Sequence, residues 1–148
     1  MGEFSVGQPV TRIEDPRLLE GRGRYIEDFD LPGQAHAVIL RSPHAHALVH
    51  SIDASMARAA AGVIAVLTGE DYATDGLGNL PCDQTRFSPD GSPMYRPPRP
   101  ALVRDKVRLV GDYVGLVIAE TLAQAKDAAE LIEVDYGPLP SITSTADA

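Results

Sequence analysis

Apolar positions along the chain alternate between strand and helix spacing, with one long interruption. From Gln34 to Arg41 and from Ala45 to Ile52, Val38 and Leu40, then Leu48 and Ile52, stand at spacings of two extended runs. Ser42-Pro43-His44 between them reads as a hairpin connection, because proline has no amide donor and fits a turn better than a ladder. Val63 to Leu67 reads as a buried strand, and Tyr113 to Ala119 is nearly continuously apolar, the pattern of a strand covered on both faces. Ala101 to Arg104 and Lys106 to Val110 read as two short strands flanking Asp105. Ile132 to Tyr136 alternates as a strand, and Gly137-Pro138-Leu139-Pro140 is expected to stop regular structure.

Helical spacing is clearest after Thr121. Thr121-Leu122-Ala123-Gln124 has the form of a capping box, and Leu122, Ala125, Ala129 and Ile132 recur on one face. Three shorter helical turns are also predicted. Asp15 caps the first, with Pro16 at its first position and Gly21 ending it. Asp53 or Ser55 caps the second, through Met56 to Ala61, and Gly62 supplies the left-handed stop. Thr68-Gly69-Glu70-Asp71 resembles a capping box with Asp in the acceptor position and predicts one turn around Tyr72. Strands, one main amphipathic helix and short turns together predict an α+β domain over 1–140 with a mixed or antiparallel sheet, followed by a linker stub over 141–148.

From 73 to 100 the pattern breaks. Gly76, Gly78, Pro81, Pro89, Gly91, Pro93, Pro97, Pro98 and Pro100 interrupt every period. Loops of this length inside a compact domain are functional, interface-forming or disordered, and the sequence leaves those alternatives open.

Composition narrows the function. Thirteen basic against 21 acidic residues give a net charge of −8, which opposes phosphate backbones and anionic membrane surfaces, so neither nucleic acid nor membrane is an expected partner. Met1 to Ser5 lacks a basic-then-apolar leader, no apolar run is long enough to span a bilayer, and Val6 stands where myristoylation wants Ser or Thr, so a cytoplasmic location is expected. Cys82 is the only cysteine, which rules out an intramolecular disulfide and any iron–sulfur cluster held by this chain alone.

Candidate chemistry is thin. His36, His44, His46 and His50 are the metal suspects, but His46 and His50 on one strand stand roughly 13 Å apart, and no cysteine or carboxylate cluster is near. Strand and turn histidines bonded to backbone are the favoured reading. Gly21-Arg22-Gly23-Arg24 offers glycines and guanidinium groups suited to phosphate, but its spacing matches neither a P-loop nor a dinucleotide fingerprint. In Arg104-Asp105-Lys106-Val107 the lysine falls at a predicted hairpin tip, where lipoyl and biotin carriers present their arm; an exposed turn lysine is more often simply solvated. No Gly-x-Ser-x-Gly elbow appears, and Cys82 has no neighbouring histidine in the sequence, so a hydrolase has no foothold. No catalytic, cofactor-binding or metal residue is assigned.

Taken in order, the segments resemble the α/β-hammerhead domain that opens the molybdenum-binding large subunit of the aldehyde oxidase, xanthine dehydrogenase and aerobic carbon monoxide dehydrogenase superfamily. The resemblance rests on Gly7-Gln8-Pro9-Val10, on Glu14-Asp15-Pro16-Arg17-Leu18-Leu19-Glu20-Gly21-Arg22-Gly23-Arg24-Tyr25, and on Arg41-Ser42-Pro43-His44-Ala45-His46-Ala47. It continues through Ala61 to Gly69, Val110-Gly111-Asp112-Tyr113-Val114, and Ala128 to Pro140. The Glu-Asp-Pro-Arg-Leu-Leu form is more similar to the carbon monoxide dehydrogenase and quinoline oxidoreductase branch. Tyr113 and Ala61 depart from the pattern, each standing where many relatives carry proline.

The resemblance implies a domain of an enzyme that oxidises carbon monoxide, an aldehyde or an aromatic heterocycle at a molybdenum–pterin dinucleotide centre. It also implies [2Fe-2S] and FAD in the parent complex, with iron–sulfur and FAD subunits and the remaining molybdenum-binding portion as partners, and self-association if the chain is alone. In relatives the active-site residues come from later domains, so this chain is expected to be a non-catalytic structural and assembly domain. The alternatives are a free-standing non-catalytic binding module of the same fold or, further off, a carrier through Lys106.

Overall fold

The computed structural model describes residues 11–82 and 84–147. The expectations placed on Met1 to Val6 and on the block Gly7 to Val10 lie outside the described residues. The chain divides into two compact units, Met1–Gln34 and Ala35–Ala148.

In the first unit, α1 (Asp15–Leu19) is closed by a Schellman arrangement: the amide of Arg22 donates to the Arg17 carbonyl and that of Gly21 to the Leu18 carbonyl. Gly21 sits at φ +69°, as the sequence required. Asp15 does not cap this helix. Its amide donates to the Arg12 carbonyl in a preceding turn, which draws Asp15 into the helix and leaves Glu14 as the cap, without a side-chain bond. A 3₁₀ turn follows at Ile26–Asp28, where Asp28 accepts from the Tyr25 amide at 2.8 Å.

The second unit is built on two antiparallel three-stranded sheets. One runs β1 (His36–Arg41), β5 (Tyr113–Ala119), β3 (Val63–Thr68); the other runs β4 (Lys106–Val107), β2 (Ala47–Asp53), β6 (Glu133–Pro138). The predicted hairpin between β1 and β2 is therefore absent. The two strands belong to different sheets, and Ser42-Pro43-His44 carries the chain across. Ser42 is buried at this crossing, its amide donating to the Asp112 carbonyl and its own carbonyl accepting from Gly111, both at 2.8 Å.

Strand β5 lies between β1 and β3 and is buried as its continuous apolarity predicts. Its pairing with β1 skips Val114, since Leu40 opposes Gly115 and Arg41 opposes Tyr113. This bulge residue joins Ala47, Val103 and Val107 in a core on the second sheet, whereas Val117 and Ala119 enter a core beneath α4. Ile52 and Val134 pack against both clusters and tie the sheets together. In β3 the register skips Ile64, which stays exposed, so this strand alternates instead of being buried throughout.

Helix α4 (Leu122–Glu130) lies on the first sheet, with the Thr121 hydroxyl accepting from the Gln124 amide at 3.2 Å. Its buried face is Ala125, Ala128 and Ala129, continued by Ile132 just past the helix; Leu122 in the first turn is exposed. Small side chains let the helix backbone approach the strands closely. Helix α2 (Ser55–Ala59) packs between β3 and α4 with Ala57 buried. Asp53 accepts from the Ser55 amide at 2.9 Å, and Gly62 takes the left-handed conformation at φ +77°. Helix α3 (Gly69–Thr74) runs for six residues, longer than the single turn predicted. The Asp71 carboxylate accepts from both the amide and the hydroxyl of Thr68 at 2.8 Å.

Two further expectations are corrected. Residues 101–104 form no strand; Leu102 and Val103 are buried through bends, with the Val103 amide donating to Tyr113 at 2.7 Å. Strand β6 runs on through Gly137 and Pro138, opposite Leu48 and Ala47. Pro138 is tolerated because β6 is an edge strand, where a missing amide donor need face no neighbour. Between 75 and 99 the described backbone holds no helix. It is crossed by a Phe87–Pro93 bridge with a turn at Gly91, and Leu80 donates to the Arg99 carbonyl at 2.8 Å. Residues 145–147 form a 3₁₀ turn.

Candidate functional site

The four histidines do not converge. His36 begins β1. His44 lies in the crossing connection, its ring 4.8 Å from that of Tyr136 and tilted by 58°. The Nδ1 of His46 is 2.7 Å from the Pro140 carbonyl, which pins the chain after β6. His50 is the extra residue where β2 slips against β6, and its ring covers Gly137 so closely that a Cβ there would stand 2.4 Å from Nε2. Among the described residues no three His, Cys, Asp or Glu side chains gather as metal ligands.

The glycine–arginine segment is engaged within its own unit. Arg22 pairs with Glu20, Arg24 lies 4.9 Å over the Phe29 ring, and Gly23 leaves room for Leu18. Lys106 is not at a hairpin tip. It is a half-buried residue of β4 opposite Leu48, so a swinging cofactor arm would have to leave a paired strand. Cys82 is exposed, its thiol donating to the Gln84 carbonyl at 3.3 Å.

A surface feature lies where the sequence pattern predicts the end of a strand, since β4 stops at Val107. Residues 108–112 turn between β4 and β5, with the Asp112 amide donating to the Leu109 carbonyl and Gly111 at φ +91°. The Asp112 carboxylate accepts from the amides of Arg108 at 2.6 Å and Leu109 at 3.2 Å. Arg41 donates to the Gly111 carbonyl at 3.3 Å and lies 4.5 Å over the Tyr113 ring. So rigidly held, the turn presents Leu109 and Val110 to solvent, 51% and 64% exposed. A cleft of about 310 Å³ on one side is lined by Arg41, Leu80, Arg99 and Tyr113. A second, walled by Pro97, Pro98 and Arg108, continues it. The only forewarning was a pair of large apolar residues next to Gly-Asp, which the strand pattern absorbed.

Carboxylates near the folded core serve the fold. Asp71 is held below the ordinary carboxylate range by the Thr68 hydroxyl and amide, with Arg58 at 3.2 Å adding to the effect. Burial raises the Tyr136 phenol above its ordinary value, partly offset by the Ser42 hydroxyl.

This geometry defines a class: a small α+β domain of two antiparallel sheets carrying an apolar, basic-rimmed turn. The chain belongs to the family described as aldehyde oxidase and xanthine dehydrogenase, a/b hammerhead domain, whose model matches residues 20–140. It is 39% identical over 130 residues to the nicotine 6-hydroxylase large subunit of Paenarthrobacter nicotinovorans, covering 88% of this chain and 15% of that one. It is likewise 39% identical over 135 residues to the carbon monoxide dehydrogenase large chain of Afipia carboxidovorans, covering 91% and 15%. The solved quinoline 2-oxidoreductase from Pseudomonas putida 86 superposes with a TM-score of 0.80 at 41% identity, covering 94% of this chain and 17% of that chain. The chain spans about a sixth of the length of these relatives. No helix among the described residues is long and apolar enough to cross a membrane.

Proposed function

We propose that this chain is the non-catalytic hammerhead portion of the large chain of a molybdenum-dependent hydroxylase, acting in folding and assembly. On this reading, residues 1–140 form the domain, with 73–100 an excursion and 141–148 the start of a linker. The observation that carries it is similarity over 91% of this chain to a carbon monoxide dehydrogenase large chain and over 94% of it to a solved quinoline 2-oxidoreductase. Residue chemistry agrees. A [2Fe-2S] cluster needs four protein ligands, and Cys82 is the chain's only thiol. The ligand types do not fit a cluster, and no step of the reaction is assigned to these residues. The molybdenum–pterin dinucleotide, [2Fe-2S] and FAD groups belong to the parent complex, whose substrate is carbon monoxide, an aldehyde or an aromatic heterocycle. Its site is cytoplasmic, and its partners are the remaining molybdenum-binding portion and the iron–sulfur and FAD subunits.

Affinity purification of the tagged chain from its source, followed by elemental and flavin analysis, tests this reading. Molybdenum, iron and flavin in one complex are expected; a lone colourless protein contradicts it.

A further inference from the structure

We propose that the turn at 108–112 and the clefts beside it dock a segment of the large chain that lies outside residues 1–148. That segment lays an apolar side chain against Leu109 and Val110 and directs carboxylates to Arg99 and Arg108. The inference rests on the large-chain reading above.

Tight turns at a protein surface are ordinarily built of polar residues and glycine. Here two large apolar side chains stand at the tip, held by the bonds that Asp112, Ser42 and Arg41 make to the turn backbone. A rigid apolar projection beside clefts is the form of an interface anchor, since little conformational freedom is lost on binding. Charge points to the occupant. Between 96 and 108 the sequence has Arg96, Arg99, Arg104, Lys106 and Arg108 against Asp105 alone, although the whole chain carries −8. Arg104 is paired with Glu70 at 2.7 Å, whereas Arg99 and Arg108 form no ion pair among the described residues and line the clefts; Asp112, the one carboxylate in either lining, is engaged by the Arg108 and Leu109 amides. A carboxylate-bearing partner is therefore favoured. A second copy fits poorly, because a twofold contact through this patch would set the same arginines against one another.

Position argues for the same polypeptide. Leu139 donates to the His46 carbonyl at 2.9 Å, and Pro140 is held by the His46 ring. Residues 140–142 then line a third cleft with Arg108, Leu109 and Val110. Residues 140–142 thus lie beside the patch, and on the large-chain reading a segment tethered through them meets it at high effective concentration.

Two measurements test the proposal. In the ¹⁵N-labelled chain, a short peptide alternating glutamate and leucine should move amide resonances between 97 and 113. The same peptide with lysine for glutamate should not. Val110→Asp should weaken binding roughly tenfold or more, as for an interface anchor, with Val110→Ala as the milder variant and retained amide dispersion as the check on folding. No perturbation, perturbation elsewhere, or equal response to the lysine peptide overturns the docking chemistry.

A photo-crosslinking residue at position 110, in the complex isolated from the source, should join to large-chain sequence beyond 148. A crosslink to another subunit or another copy, or none, overturns the assigned occupant. If that complex contains molybdenum but no such crosslink forms, only this proposal falls; if it contains no molybdenum, the large-chain reading falls with it.

Discussion

Replacing Gly69 by alanine puts a methyl group where backbone already stands. A Cβ at this buried position lies 2.2 Å from the Val103 carbonyl oxygen, 2.5 Å from its carbon and 2.8 Å from the Arg104 Cα. Side-chain rearrangement cannot clear backbone atoms, so α3 must separate from residues 103–104. That strains the Val103 amide bond to Tyr113 that fastens this segment to β5. Overpacking of a filled site costs about 1–3 kcal/mol, and a rigid obstacle places this case in the upper part of that range. Alanine regains up to about 1 kcal/mol in helix propensity, so the steric effect wins with a net loss of about 2 kcal/mol. With a urea m-value of about 2 kcal/mol/M, the midpoint should fall by roughly 1 M. Gly78→Ala is the control: no atom lies within 4 Å of its Cβ, and its midpoint should change by less than about 0.5 kcal/mol equivalent. A Gly69→Ala midpoint indistinguishable from the control would refute the close approach of α3 to residues 103–104.

Three further outcomes are expected. Val117→Ala, at a fully buried position beneath α4, should cost about 2 kcal/mol in urea unfolding from two lost methyl equivalents plus a residual cavity; a loss under about 0.5 kcal/mol would contradict its place in the core. Asp71 has its folded pKa lowered, so its contribution is present above the unfolded value of about 3.9 and is lost as pH falls through the folded value. Asp71→Asn should therefore cost about 0.5–1 kcal/mol at neutral pH, a figure reduced for solvent screening, and the gap to the parent should close in acid. Tyr136 has its folded pKa raised, so stability should decline as pH rises from about 10 through the folded value. Tyr136→Phe should remove that part of the alkaline decline, measured by thermal unfolding against pH.

Local pattern was enough where one element carried its own explanation. Tyr113 to Ala119 is apolar throughout because it lies between two strands and serves two cores, and Thr121 with Gln124 marked where α4 begins. Partner choice was not legible. Strands β1 and β2 are neighbours in sequence but separate into different sheets, a decision made by cores formed with β5, β6 and α4. Slips at His50, Ile64 and Val114 are also set by cross-strand fit, which a period-two pattern does not encode. Pro138 looked like a stop because its sequence does not reveal that β6 is an edge. Leu109 and Val110 looked like strand residues for a similar reason: only the bonds closing the turn at Asp112 face them outward.

On the proposed reading, this domain supplies fold and assembly while residues outside 1–148 hold the redox groups. The most direct test is molybdenum and iron content per complex after Cys82→Ser and, separately, His36→Ala, changes to the chain's only thiol and to a strand-end imidazole. Metal content equal to that of the parent complex is expected in both. Loss of half or more of either metal from an intact complex would contradict it.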